Sequence, residues 1–184
     1  MRPLPLHKVT MFLSVRELEL RKVHFDVELE PGKIEFEDEL KQTAPLRSKG
    51  VAQLLSNTLG EIRIQGSLQV TMEVPCDRCL EPAIFPVDTK FDLFYRPDAP
   101  EDAPGEKHVA EGEIEIGFYE GDGLELEDVL VEQIVLSLPM QKVCKADCKG
   151  ICPVCGQNRN LVSCKCEVKP VDNRWAAAFE SLKK

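Results

Sequence analysis

The sequence predicts an α+β protein: a mostly antiparallel β body with one core helix, then a small cysteine-rich module and a terminal helix. Several runs between residues 23 and 95 alternate apolar and polar side chains, which is the period of strands with one buried face. Residues 126–138 carry apolar side chains at helical spacing instead. Six of the eight cysteines lie within residues 144–166. We therefore expect an acidic β-rich domain over residues 1–140 and a basic cysteine-rich module with the terminal helix over residues 141–184.

This alternation predicts the strands in the first part of the body. Residues 23–29 alternate cleanly, and Pro31-Gly32 ends the run as a turn. Residues 11–20 alternate loosely and suggest an edge strand or the first arm of a hairpin. Residues 34–36 suggest another short strand, whereas the mixed pattern of residues 46–55 suggests a turn of helix.

A long hairpin is predicted in the second half of the body. The alternation of residues 61–75 ends at a proline, and a bulge or bend is expected at Gly66-Ser67. Cys76-Asp-Arg-Cys79 follows, and residues 84–95 form the next strand, so this cysteine pair lies at the tip between two strands. Residues 97–107 have the composition of a disordered loop, and a strand-like pattern resumes at residues 113–116.

Two helices are predicted. The apolar stripe of residues 126–138 packs on the sheet, and Pro139 ends the helix. Asp172 can cap a terminal helix over residues 173–182, where Trp175 lies on the apolar face.

The cysteine spacing predicts metal sites. Cys152-Pro-Val-Cys155-Gly has the form of a zinc knuckle, and a tetrahedral ion needs two further ligands, which Cys164-Lys-Cys166 can supply. This makes the C-terminal module zinc-ribbon-like. The first predicted site therefore comprises Cys152, Cys155, Cys164 and Cys166. The four remaining cysteines form a candidate second site, namely Cys76, Cys79, Cys144 and Cys148.

Alternatives to zinc remain open at this stage. Four disulfides would need an oxidising compartment, but the N-terminus lacks the apolar core of a secretory signal, so we expect a cytoplasmic protein. A lone Cys-x-x-Cys pair such as Cys76/Cys79 also suits a redox dithiol or an empty hairpin turn. Iron–sulfur ligation is a further alternative for the cluster, although its Pro-x-Cys-Gly turn favours zinc. We expect one or two structural Zn²⁺ held by cysteines only, because His7, His24 and His108 lie outside the cysteine spacing.

Charge divides the chain into two unlike parts. The formal net charge is −9, yet residues 141–184 contain nine Lys or Arg and four Asp or Glu, a balance of +5 that leaves −14 on the first 140 residues. The basic module is thus the expected RNA-facing surface, and the acidic body is expected to meet a basic protein. The candidate contact residues are Lys145, Lys149, Arg159, Lys165, Arg174 and Trp175.

Catalytic patterns are absent from the sequence. It contains no phosphate-binding loop, no dinucleotide glycine pattern and no Ser/His/Asp arrangement. A zinc ion with four thiolate ligands has no open position for water. With no run of about eighteen apolar residues either, we expect a non-enzymatic binding protein with no small-molecule substrate and no membrane partner.

Several motifs together resemble the YceD family, the large ribosomal RNA subunit accumulation proteins of bacteria and plastids. They are Cys76-Asp-Arg-Cys79-Leu-Glu-Pro82, the helix end Leu-Ser-Leu-Pro139, Cys144-x3-Cys148-Lys-Gly-Ile-Cys-Pro-Val-Cys-Gly-Gln-Asn-x-Asn-Leu and Asp172-x-Arg174-Trp175. The resemblance implies a factor that supports the accumulation of 23S rRNA and of the large (50S) ribosomal subunit. It implies ribosomal or assembly proteins as partners, with rRNA as a candidate partner of the C-terminal module. The alternative is a redox-responsive zinc switch or chaperone-like protein.

Overall fold

The computed structural model describes residues 11–36, 39–58, 60–98 and 116–167. Its elements in chain order are β1 Phe12–Ser14, α1 Val15–Leu20, β2 Val23–Leu29, β3 Lys41–Gln42, β4 Leu46–Leu54, β5 Ile62–Pro75, β6 Pro82–Pro97, β7 Ile116–Tyr119, β8 Gly123–Glu125 and α2 Leu126–Ser137. The predicted α+β class with a mostly antiparallel sheet is confirmed.

The main sheet is built around the long hairpin of β5 and β6. Its strand order is β2-β4-β5-β6-β7, and β3 pairs with the end of β5 that β4 does not reach. These pairs are antiparallel except β6 with β7, which is parallel. β1 and β8 form a separate antiparallel pair. The hairpin stays paired up to Pro75 opposite Pro82, so residues 76–81 form its tip.

The core lies between one face of this sheet and α2. On this face of β5 every second residue except Gly66 is buried, as the period of two requires: Ile62, Ile64, Leu68, Val70, Met72 and Val74. On α2 the buried apolar residues follow helical spacing: Leu126, Val129, Leu130 and Ile134. Each fully buried aliphatic side chain of this size contributes about 1.5–3 kcal/mol relative to an exposed one. The opposite face of β5 is polar, so the sheet buries one side only.

Two glycines leave room for aromatic rings on the inner face of the sheet. Gly50 of β4 pairs with Gly66 of β5, Phe25 of β2 pairs with Gly50, and Phe91 of β6 pairs with Gly66. A Cβ added to Gly50 would lie 2.6 Å from the Phe25 ring, and one on Gly66 would lie 2.7 Å from the Phe91 ring. The predicted bulge at Gly66-Ser67 is wrong, because the register runs unbroken through both residues. The glycines serve ring packing instead.

Three other local predictions are wrong. Residues 11–20 are not one strand, because β1 ends at Ser14 and α1 follows directly and buries Leu18. The strand expected at residues 34–36 is absent, although Ile34 is buried in the core. Residues 46–54 form strand β4 and not a turn of helix, because pairing with β2 and β5 overrides their weak local pattern.

The remaining predictions for the body are confirmed where the structure describes them. They are the strands at residues 23–29, 61–75 and 84–95 and the helix at residues 126–138. The loop predicted over residues 97–107 starts too early, because β6 extends to Pro97. Residues 99–107, the strand residues 113–115 and the terminal helix lie outside the described residues. The division into two domains at residue 140 stays a prediction. Within the described ranges, neither helix is long and apolar enough to span a membrane.

Gly50→Ala tests the ring packing. An added Cβ would clash with the Gln65 carbonyl oxygen and would lie 2.6 Å from the Phe25 ring, so strands β4 and β5 must separate and Phe25 must leave its rotamer. We expect the free energy of unfolding in urea, at saturating zinc, to fall by about 1–3 kcal/mol, as for other overpacked cores. Lys49→Ala, on the exposed face one residue earlier, should change it by less than about 0.5 kcal/mol. Equal effects of the two substitutions would contradict this packing.

Candidate metal centres

The tip of the long hairpin is a tight knuckle that presents two sulfurs. The Cys76 N–H donates to the Glu81 carbonyl at 2.9 Å, and the Leu80 N–H donates to the Cys76 carbonyl at 2.9 Å. Leu80 has a φ of 64°, in the left-handed region that costs a residue other than glycine about 1–2 kcal/mol. The turn brings Cys76 and Cys79 to the same side of the tip, and both are buried.

The same backbone pattern recurs at Cys152-Pro-Val-Cys155. The Cys152 N–H donates to the Gln157 carbonyl at 2.8 Å, and the Gly156 N–H donates to the Cys152 carbonyl at 2.9 Å. Gly156 follows the second cysteine and has a φ of 72°, in the left-handed region that glycine adopts without strain. The hairpin tip was not recognised as a knuckle from sequence, because leucine and not glycine occupies the left-handed position there.

The first group of sulfurs joins the hairpin tip to the segment that follows α2. We call Cys76, Cys79, Cys144 and Cys148 the hairpin cluster; their Sγ atoms all lie within 4.8 Å of one another. Lys142 and Asp77 align the two segments: the Asp77 N–H donates to the Lys142 carbonyl at 2.8 Å, and the Lys142 N–H donates to Asp77 Oδ2 at 2.6 Å. Ala83, Phe85 and Val143 pack against the cluster.

The second group lies wholly within the C-terminal module. We call Cys152, Cys155, Cys164 and Cys166 the C-terminal cluster; their Sγ atoms also lie within 4.8 Å of one another. The two clusters differ in exposure. Three cysteines of the hairpin cluster are buried, whereas in the C-terminal cluster only Cys152 is buried. The structure thus groups the eight cysteines in the two sets of four that the sequence predicted.

The distances between the sulfurs fit a metal ion that is coordinated tetrahedrally by four thiolates. Zinc–sulfur bonds of about 2.3 Å give a tetrahedron with edges of about 3.8 Å. In the hairpin cluster the Cys76 and Cys148 sulfurs are 3.9 Å apart, and those of Cys79 and Cys144 are 3.7 Å apart. A disulfide would need about 2.05 Å. The donor set of four thiolates also suits zinc better than a hard cation, which prefers oxygen ligands.

Backbone donors favour a thiolate in each cluster. At Cys76 burial opposes ionisation most strongly, but hydrogen bonds from backbone N–H groups, first that of Cys144, outweigh it and lower the pKa to about 6. The Cys144 N–H lies 3.3 Å from the Cys76 sulfur. At Cys152 the N–H of Cys155 contributes most to lowering the pKa to about 6. Each knuckle therefore stabilises the charged form that binds a metal.

Two asparagines from the loop between Cys155 and Cys164 reach the hairpin. Asn158 Nδ2 donates to Glu81 Oε1 at 3.2 Å, and Asn160 Nδ2 donates to the Cys148 sulfur at 3.3 Å. The Asn160 amide is the main cause of a lowered pKa at Cys148. The sequence analysis gave neither asparagine a role. The signal was the pair of asparagines in this loop, residues that readily hydrogen-bond nearby backbone.

The structure describes four of the six predicted contact residues. The exposed basic residues of the described module are Lys145, Lys149, Arg159 and Lys165. Arg174 and Trp175 lie outside the described residues. Arg78, at the hairpin tip, is a further exposed base that the sequence analysis missed, and its Nη1 donates to the Cys148 carbonyl at 3.2 Å.

An acidic cleft of about 340 Å³ lies between α2 and the β7–β8 region. Its carboxylates are Glu120, Glu125, Asp128 and Glu132, and its aromatic residues are Phe12, Tyr95, Phe118 and Tyr119. Phe12 and Phe118 are exposed, and the Tyr95 hydroxyl donates to Glu132 at 3.3 Å. No Lys or Arg is among the described residues that line the cleft. The exposed face of the sheet differs, because there Arg47 pairs with Glu28 and Arg63 with Asp92.

Comparisons with known proteins extend these observations. The family model of the large ribosomal RNA subunit accumulation protein YceD matches residues 64–183. The uncharacterized protein YlbN of Bacillus subtilis is 25% identical over 175 residues, which cover 92% of this chain and 94% of YlbN. The chloroplastic large ribosomal RNA subunit accumulation protein YCED homolog 1 of Zea mays is 25% identical over 133 residues, 60% of this chain and 45% of the maize protein.

An uncharacterized protein of Mycobacterium tuberculosis is 30% identical over 126 residues, which are 66% of this chain. The chain spans 56% of the length of that mycobacterial relative. No solved structure matches the chain.

The grouping of the cysteines can be tested with matched sets of substitutions. Serine at all four positions of the hairpin cluster should leave one zinc ion per chain, because the C-terminal cluster keeps its four thiolates. A crossed set of equal size should leave none, because each cluster then keeps only two; this set is Cys76→Ser, Cys79→Ser, Cys164→Ser and Cys166→Ser. Elemental analysis of the reduced proteins measures both. One zinc ion retained by the crossed set would contradict the grouping.

Proposed function

The chain belongs to the YceD family of large ribosomal RNA subunit accumulation proteins, and from this membership we propose that it is a non-catalytic factor that supports the accumulation of 23S rRNA and of the 50S subunit. The observation that carries the proposal is the family match over residues 64–183, which includes both cysteine clusters. The maize relative supports it, because its name gives the same role.

In this proposal the two clusters each hold one structural Zn²⁺. Cys76, Cys79, Cys144 and Cys148 would hold one ion and Cys152, Cys155, Cys164 and Cys166 the other. When bound, each ion supplies a cross-link among four thiolates and no open coordination position. The first cross-link would hold the segment after α2 on the hairpin tip, and the second would close the loop between Cys155 and Cys164. The function of zinc is thus to shape a surface.

Two surfaces are candidates for the contact with the large subunit or its precursors. The exposed bases of the C-terminal module suit RNA phosphates, to which lysine and arginine bind through charge-assisted hydrogen bonds. The acidic cleft suits a basic protein segment, because its carboxylates attract lysine and arginine and its exposed aromatic rings can stack on their side chains. We favour the cleft as the main source of affinity, because four exposed bases are few beside the six to ten or so phosphate contacts of a strong binder.

Charge-reversal variants, expressed in cells that lack the native protein, distinguish which of the two surfaces makes the contact. One variant carries Lys145→Glu, Lys149→Glu, Arg159→Glu and Lys165→Glu; a second carries Glu120→Lys and Asp128→Lys; a control carries Asp26→Lys and Glu30→Lys on exposed acids away from the cleft. The cleft variant should lose most co-sedimentation with large-subunit particles and restore little 23S rRNA. The module variant should lose less and show a flatter salt dependence, because each lost phosphate contact lowers that slope.

The control variant should behave as the native protein, and zinc content should be unchanged in all three. Partner proteins that remain bound after ribonuclease treatment support the cleft. A complete loss of partner proteins after that treatment would instead indicate that the basic module makes the contact through RNA. Normal 23S rRNA in cells without any form of the protein would contradict the proposed function itself.

A redox-responsive zinc switch is the second candidate, and one observation favours it. Cys155 and Cys166 of the C-terminal cluster are exposed, whereas the hairpin cluster exposes only Cys144. Oxidation would form one S–S bond between two thiolates of the C-terminal cluster, with two electrons passing to hydrogen peroxide, which becomes water, and with release of Zn²⁺. Exposure makes this step faster at the C-terminal cluster.

Peroxide treatment decides whether the switch is functional. The C-terminal ion should leave first, so the variant with serine at all four hairpin-cluster positions should release its remaining zinc at least as fast as the early phase of the native protein. A chromophoric chelator follows the release. A switch further requires that the oxidised protein suppress aggregation of an unfolded client, and release without this gain would leave only the ribosomal role.

A further inference from the structure

Asn160 belongs to the loop of one cluster and contacts a sulfur of the other. Its Oδ1 accepts a hydrogen bond from the Lys149 N–H at 2.9 Å, and its Nδ2 lies 3.3 Å from the Cys148 sulfur. The orientation of the amide is fixed, because a backbone N–H can only donate and the oxygen must therefore face Lys149. The nitrogen is left to donate to sulfur. Asn158 Oδ1 accepts a second hydrogen bond from Asn160 Nδ2 at 2.9 Å.

No solvent donor can easily replace this amide. Cys148 is only 5% exposed, so its sulfur depends on protein donors. With four thiolates around one Zn²⁺ a cluster carries a net charge of −2, and an N–H donor to a ligand sulfur stabilises that charge. Partners of this kind typically change metal affinity by about 10–100-fold. Asn160 thus has the position of a residue that tunes the hairpin cluster.

The C-terminal cluster holds Asn160 in place. Cys155 and Cys164 flank the loop that contains Asn160, so an ion bound to both fixes the two ends of the loop. Without the ion, ordering the same loop costs more conformational entropy. Without it the loop is held by hydrogen bonds alone, among them that from the Arg159 N–H to the Gly150 carbonyl at 2.9 Å and that from Asn158 Nδ2 to Glu81 Oε1 at 3.2 Å.

The backbone between the clusters gives a second connection. Only Lys149, Gly150 and Ile151 separate Cys148 from Cys152. The Ile151 N–H donates to the Arg78 carbonyl at 2.8 Å, and a Cβ on Gly150 would lie 2.8 Å from that same oxygen. Gly150 also has a φ of 70°, so a side chain there would be strained as well as crowded. The two knuckles therefore share one rigid bridge.

We propose that the two clusters bind metal cooperatively and that Asn160 is the positioning residue that couples them. Metal at the C-terminal cluster orders the loop, and the ordered Asn160 raises the affinity of the hairpin cluster. The coupling must be reciprocal, so metal at the hairpin cluster raises the affinity of the C-terminal cluster by the same factor. This inference rests on the proposed role of both clusters as metal sites.

Cadmium NMR on the full chain tests the coupling, because each four-thiolate site gives its own resonance and a competing chelator can titrate the two separately. Cys164→Ser with Cys166→Ser leaves both knuckles intact but opens the loop. We expect it to raise the dissociation constant of the hairpin cluster about tenfold. Asn160→Ala should give a similar loss and move the hairpin resonance. Combining both changes should cost no more than either alone, because they remove the same interaction.

Two further variants distinguish the hydrogen bond of Asn160 from a general effect of changing the loop. Asn160→Asp preserves the shape and the acceptor for Lys149 but places an oxygen against the sulfur, so it should weaken the hairpin cluster more than alanine does. Ser163→Ala, at an exposed position of the same loop, should change nothing. Two resonances with an unchanged hairpin affinity in Asn160→Ala would overturn the coupling alone. The absence of both resonances from the native chain would overturn the metal sites of the proposed function, and the coupling with them.

Discussion

The meeting of two remote segments at the hairpin tip is the constraint on which the described module depends. Cys76 and Cys79 are fixed by the unbroken pairing of β5 with β6, and Cys144 and Cys148 follow α2, which packs on the sheet. A cross-link between segments this far apart removes much entropy from the unfolded chain. A filled hairpin cluster would therefore stabilise both the sheet end and the start of the module.

The sequence predicted most of what depends on a repeating pattern or on ligand count. Strict alternation found β2, β5 and β6, and the apolar stripe found α2. Eight cysteines in pairs fit two tetrahedral sites, and a glycine after Cys155 marked one knuckle. Strand β4 was missed because its central Gly50 serves ring packing against Phe25, a partner on another strand. Local propensity contains no information about such a partner.

What the sequence could not predict lies in contacts between elements. Leu80 adopts a left-handed conformation, which sequence reasoning expects at a glycine. It does so because the hairpin register leaves only six residues to turn the chain. Asn160 acquires its role from the sulfur beside it, which is twelve residues away in the chain. The acidic cleft combines residues from β1, β6, β7, β8 and α2, which are far apart in the chain. The spacing of the cysteines in the sequence identified the candidate ligands but not the residues that contact and position them.

The described part of the module, residues 141–167, has little apolar core of its own. Its buried residues are Cys148, Gly150 and Cys152, whereas Ile151, Val154, Leu161 and Val162 are exposed. A segment with so little apolar burial cannot offset the entropy of ordering its chain without cross-links. In the proposed function, in which each cluster holds one Zn²⁺, the free energy of metal binding would contribute directly to the folding of this segment. The exposed aliphatic and basic side chains would then be held in a common surface only while the clusters are filled, which would link metal content to any contact that this surface makes.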